Sequence, residues 1–184
     1  MSNNWQITPR EVQTLPVKGP GELATVPPEA YSDIETLEVQ AGFSVLRPGY
    51  LPAGCALSES NYLAEPIGEI YMAYRLANGL PCFTVTQRMS AGPVHHPYVK
   101  ENSVEGVTVH GLPATYIDGM WVVESLPQKA GKTITIKPEE LFENATWMEG
   151  PKHLVFEYKD LLIRIDAGED MTKEELIRIA ESRE

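Results

Sequence analysis

Ile70-Tyr71-Met72-Ala73-Tyr74-Arg75-Leu76, then Asn78-Gly79, then Phe83, Val85 and Met89 alternating with Thr84, Thr86 and Arg88, is the stretch that decides the fold. Apolar side chains recur at every second residue, so Ile70, Met72, Tyr74 and Leu76 fall on one side of an extended chain. Asn-Gly between two such runs favours a two-residue hairpin, because both positions tolerate positive φ. The pattern predicts an antiparallel pair, about 69–77 with 81–89.

Toward the C-terminus the period of two persists. Val104–His110 and Ala114–Ile117 flank Gly111-Leu112-Pro113, and Met120–Leu126 resumes as a strand after Asp118-Gly119. Thr133–Lys137 alternates again, and Glu139–Asn144 reads as one helical turn. Thr146–Met148, His153–Lys159 and Leu161–Asp166 supply the last strands, alternating as Leu154, Phe156 and Tyr158 and as Leu161, Ile163 and Ile165. Toward the N-terminus, Ala56–Leu63 is a weak strand, and the prolines and glycines of Arg47–Gly54 exclude regular structure.

Helices are expected at both ends of this run. Ser32-Asp33-Ile34-Glu35 fits a capping box, Ile34, Leu37 and Ala41 share a face, and Gly42 suits a left-handed stop, which predicts a helix over about 33–41. Phe43, Val45 and Leu46 then enter the core. Near the end, Thr172 and Glu175 form a second capping box, Met171 staples onto Leu176, and Leu176, Ile179 and Ala180 make the buried stripe. Helix, long run of strands, helix is the order of an α+β fold. We expect a curved, mainly antiparallel sheet of about 7–9 strands, with a short N-terminal and a C-terminal helix packed against it.

Residues 1–31 hold five prolines and no lasting period, so they read as a tail or stalk ahead of a single domain over 32–184. The chain has 184 residues, of which 15 are Lys or Arg and 26 are Asp or Glu, for a net charge of −11. So acidic a chain, with no basic cluster, argues against nucleic acid and against an anionic membrane surface. No apolar run is long enough to span a bilayer, and Met1-Ser2-Asn3-Asn4-Trp5 lacks the features of a secretory signal. A fragment cut after a signal or membrane helix would look the same.

Four histidines are candidates for chemistry: His95, His96, His110 and His153. His95 and His96 are adjacent and point apart in extended chain, so a solvated loop fits them better than a metal site. His110 and His153 sit at strand ends, where a structural role is usual. An enzyme would need His95, His96 or His153 close to a carboxylate, in a cleft. Neither a nucleophile elbow nor a phosphate-binding loop is present, and Glu139-Glu140 and Glu174-Glu175 suit the first turns of helices. No catalytic, cofactor-binding or metal-binding residue is assigned. Cys55 and Cys82 read as buried small hydrophobes or as a disulfide in an oxidising compartment. In a simple meander the strand at 69–77 would separate them by about two 4.8 Å spacings. Tyr50, Tyr62, Tyr71, Tyr74, Tyr116, Trp121 and Trp147 are either sheet core or the lining of a groove for an apolar ligand.

The stretch Phe43-Ser44-Val45-Leu46-Arg47-Pro48-Gly49-Tyr50-Leu51-Pro52-Ala53-Gly54-Cys55-Ala56-Leu57 resembles the "F-x-V-x-x-P-x-Y-L-P-x-G-Y-x-L" opening of a bacterial domain of unknown function. That domain occurs in ectodomains of anti-sigma-factor-like and lipoprotein-like proteins. Glu174-Glu175-Leu176-Ile177-Arg178-Ile179-Ala180-Glu181-Ser182 is similar to its closing "E-E-L-x-x-I-A-E-S-L". Val107–Ala114 looks like its "V-x-V-x-G-x-x-A" step, and Trp147 falls where it has "L-x-W". Cys55 departs from the usual aromatic, and Arg183-Glu184 from the final leucine. The resemblance spans about 33–184 and implies a non-enzymatic extracytoplasmic sensor or interaction domain, anchored in the membrane in the full-length protein. Its partner would be a protein or cell-envelope component. The alternatives are a carrier of an apolar or lipid ligand, an enzyme, or a cytoplasmic location.

Overall fold

The computed structural model describes residues 34–64, 68–91, 99–123 and 145–182. Residues 1–31, Ser32, His95, His96, Thr133–Lys137 and Glu139–Asn144 lie outside them, and with them the expected tail, the first capping box and one strand. The elements are α1 (Ile34–Ala41), β1 (Cys55–Leu63), β2 (Glu69–Leu76), β3 (Pro81–Met89), a 3-10 turn (Glu101–Ser103), β4 (Val104–Val109), β5 (Leu112–Val123), β6 (Ala145–Tyr158), β7 (Leu161–Ala167) and α2 (Lys173–Glu181). Among the described residues seven strands form one open antiparallel sheet in the order β1-β2-β3-β7-β6-β5-β4. The class is α+β. Two meanders, β1–β3 and β4–β7, join where β7 pairs with β3 from Phe83↔Ala167 to Met89↔Leu161.

The chain divides into two compact units, one of Pro28–Met120 with Met148–Glu184, the other of Met1–Pro27 with Trp121–Trp147. Of the second, residues 121–123 and 145–147 are described, and in it the Trp121 ring meets Trp147 edge-on at 5.3 Å. The first holds the core and both helices.

Alternation works as the sequence predicts. Ile70, Met72 and Tyr74 of β2, Phe83 and Val85 of β3, Leu154 and Phe156 of β6, and Leu161, Ile163 and Ile165 of β7 are buried in one cluster with Ile34, Leu37, Leu176, Ile179 and Ala180 of the helices. Tyr74 stacks on Phe83, with ring centroids 4.4 Å apart. Val45 and Leu46 are buried beside them and Phe43 packs against them. Met89, expected inside, is 53% exposed because β3 runs out at the end of the sheet.

Three turns differ from expectation. Asn78-Gly79 does not make a two-residue hairpin: Leu76 N donates to Leu80 O and Gly79 N to Leu76 O, so Ala77-Asn78-Gly79 form a three-residue loop. Gly79 alone takes positive φ there, at 83°. The paired positive-φ turns are His110-Gly111 (52° and 73°) and Lys159-Asp160 (50° and 64°), the two-residue connections of β4–β5 and β6–β7. Asp118-Gly119, which reads as a break, and Glu149-Gly150, which falls between two expected strands, lie inside β5 and β6, each absorbed by one positive-φ glycine.

The cysteines are bridged, with Cα atoms 6.2 Å apart. The two-strand separation expected of them holds for a regular ladder. Here Cys55 sits opposite Leu76, the last residue of β2, and the β2–β3 register shifts between Tyr74↔Phe83 and Arg75↔Pro81, which leaves Cys82 as the extra residue. Bulging lifts that residue out of the ladder at the point where β2 ends. A disulfide therefore ties β1 to β3 across the end of β2.

Candidate functional site

On the face of the sheet opposite the helices, β7 and β6 bring three charged or titratable side chains together. Strand parity puts Arg164 and Asp166 on this face, since Ile163, Ile165 and Ala167 face the core. The Lys159-Asp160 turn then fixes the register, which sets His153 directly opposite Asp166 and Val155 opposite Arg164. His153 Nδ1 lies 2.5 Å from Asp166 Oδ1, and Arg164 Nε donates to the same oxygen at 2.5 Å. Thr84 and Thr86 of β3 face Asp166 and Arg164 from the other side.

The charges settle the proton positions. Asp166 is acceptor only, so the proton of the His153 contact sits on Nδ1. Arg164 Nη2, 3.3 Å from that nitrogen, is then a neighbouring cation rather than its donor. Burial pushes the Asp166 carboxyl up, but the His153 hydrogen bond and the Arg164 guanidinium outweigh it and hold the carboxyl below its ordinary value. Exposure of the side chains rises from 8% for His153 to 28% for Asp166 and 49% for Arg164. An oriented imidazole with its proton fixed by a carboxylate is half of a proton-relay device. The other half is a group for Nε2 to act on, and burial keeps His153 from bulk solvent.

The condition set for an enzyme, a histidine beside a carboxylate, is thus met in part by His153. His110 has another role: in the left-handed turn its N–H donates to Glu181 Oε1 and its ring tilts against Tyr158 at 5.3 Å. Among the described residues no three of His, Cys, Asp and Glu are grouped to hold a metal ion. Glu174 and Glu175 stand in the first turn of α2, where Glu175 closes the capping box with Thr172. Tyr74 and Tyr116 are core, Tyr50 and Tyr62 pack against it, and Tyr71 lies on the opposite face.

Two features escaped sequence reasoning. Gln87 is fully buried on the core face of β3, where Nε2 donates to Leu46 O at 2.7 Å and Oε1 accepts from Leu46 N at 3.0 Å. One amide thereby satisfies both backbone groups of a buried loop residue. The signal was present: Gln87 holds the core-side position between Val85 and Met89. The second is a clasp between the ends of the domain. Gly49 N donates to Ser182 O and Tyr50 N to Ser182 Oγ, both at 2.8 Å, while the Arg178 guanidinium lies 3.8 Å from the Tyr50 ring centroid. The stretches quoted above as an opening and a closing motif therefore touch.

No helix among the described residues is long and apolar enough to cross a membrane. Set against family models, curated proteins and solved structures, the chain matches none.

Proposed function

We propose that the chain is a non-enzymatic, extracytoplasmic sensor or interaction domain of a bacterial envelope protein. The observation that carries this reading is the Cys55–Cys82 bridge, because structural disulfides persist in oxidising compartments and are rare where thiols are kept reduced. The clasp of Gly49 and Tyr50 on Ser182 supports it too, since it gives a physical reason for the opening and closing motifs to occur together. Its partner is a protein or cell-envelope component.

The test is alkylation in intact cells. Cys55 and Cys82 of the full-length protein should resist a membrane-permeant maleimide until a reductant is added, and the protein should fractionate with the envelope. Two freely alkylated thiols in a cytosolic fraction would defeat the reading.

A further inference from the structure

The two edges of the sheet are not alike. β1 is broken by a register shift at Ser58, whose hydroxyl is turned onto Ala73 O, and its first residue is bridged to Cys82. Bulges and kinks of this kind keep an edge from pairing with another chain. β4 has none of them. Val104-Glu105-Gly106-Val107-Thr108-Val109 pairs with β5 in six consecutive steps without a shift, and it contains no lysine or proline.

Hairpin geometry says which of its backbone groups are spent. A two-residue turn makes Val109↔Leu112 a hydrogen-bonded pair, and alternation extends this to Val107↔Ala114 and Glu105↔Tyr116. Val104, Gly106 and Thr108 therefore direct N–H and C=O away from β5. These three residues are exposed, and a Cβ built on Gly106 would meet nothing within 4 Å. On the helix side, carboxylates flank the strand: Glu105 on β4, and Glu174 and Glu181, seven residues apart on one side of α2, which packs against β4. Lys173 is bound to Glu105, at 2.9 and 3.0 Å.

We infer that the β4 edge takes an extended, lysine- or arginine-bearing segment of a partner protein as an eighth strand. Backbone pairing supplies the contact, as in other strand additions. The flanking carboxylates and the chain's charge of −11 select a basic segment and oppose a second copy of the chain. The inference rests on the reading of the domain as an interaction module, but it is tested apart from the compartment.

A suitable probe is an end-capped (Lys-Val)4 peptide, with two controls: (Glu-Val)4, and (Lys-Val)4 methylated on alternate amide nitrogens along one edge. Binding to the whole chain is followed by fluorescence anisotropy at two salt concentrations. (Lys-Val)4 should bind and weaken with salt, and both controls should bind at least about tenfold more weakly. Thr108→Pro and Gly106→Pro each remove one outward N–H and no bond to β5, so each should lower affinity about tenfold with the thermal midpoint little changed. Equal binding of the methylated peptide, or undiminished binding by both folded proline variants, would overturn strand addition. A wild-type dimer that Thr108→Pro converts to monomer would overturn the basic partner in favour of a second copy. If a proline variant fails to fold, the methylated peptide decides alone.

Discussion

Toward the helices β3 presents Phe83, Val85 and Gln87; on its other face it presents Thr84, Thr86 and Arg88. β7 does the same with Ile163 and Ile165 against Arg164 and Asp166. One face is held by apolar contact, with the buried Gln87 amide bonded to both backbone groups of Leu46. The other carries a charge cluster around Asp166, beside the buried Val155. Apolar burial scales with area and tolerates no voids, whereas the cluster depends on proton state and keeps only the net of desolvation against attraction. Removing side chains from the two faces should therefore cost very different amounts.

The largest contrast is expected at adjacent positions on β3. Phe83→Ala should lower unfolding free energy by about 3–5 kcal/mol, through lost transfer energy and a cavity beside Tyr74. Thr84→Ala should cost less than about 1 kcal/mol. Urea denaturation measures both, and equal losses would break the comparison. Opening the Cys55–Cys82 bridge, by paired alanine substitution, should cost about 3–4 kcal/mol, as chain entropy gives for a separation of 27 residues. Its effect belongs to neither face, because it acts mainly on the unfolded chain.

Gln87→Leu should cost about 2–3 kcal/mol despite its apolar gain, because Leu46 N and O are left buried without partners. On the opposite face Asp166→Asn should cost about 1 kcal/mol near neutral pH. The sign follows from its lowered pKa: the stabilisation is present above the ordinary carboxylate range and is lost as pH falls through the folded value. Wild type and variant should therefore converge in urea titrations run at progressively lower pH, and a gap that does not narrow as the pH falls would contradict this account.

The smallest effect is confined to alkaline pH. Burial, with the carboxylates of Asp118, Glu105 and Glu174, pushes the Tyr116 phenol up to about 12. Its folded pKa is raised, so its contribution is complete below the unfolded value near 10 and is lost as pH rises toward 12. Phenolate absorbance should show one late tyrosine step, absent in Tyr116→Phe.

Much of the fold was legible in the sequence, and little of the candidate site. β1 to β3, α1 and α2 follow from local period, capping pairs and glycine stops, which depend on neighbours a few residues away. The His153–Asp166 pair does not, because its partners are 13 residues apart and meet only if Lys159-Asp160 is taken as the whole turn. Lysine and aspartate give a weak turn signal beside Asn78-Gly79, yet here they take the two positive-φ positions. Asp118-Gly119 and Glu149-Gly150 misled in the opposite sense, since a strand can absorb one glycine without stopping.

By itself the sequence determined which side of β2, β3, β6 and β7 is apolar and where both helices begin or end. Those properties are carried by single residues and their near neighbours. Only the tertiary structure decided that β7 enters the middle of the sheet beside β3, that a bulge brings Cys82 to Cys55, and that Ser182 holds Gly49 and Tyr50. Each of these is a meeting of distant segments, and its energy exists only once loops have closed and the register has been set.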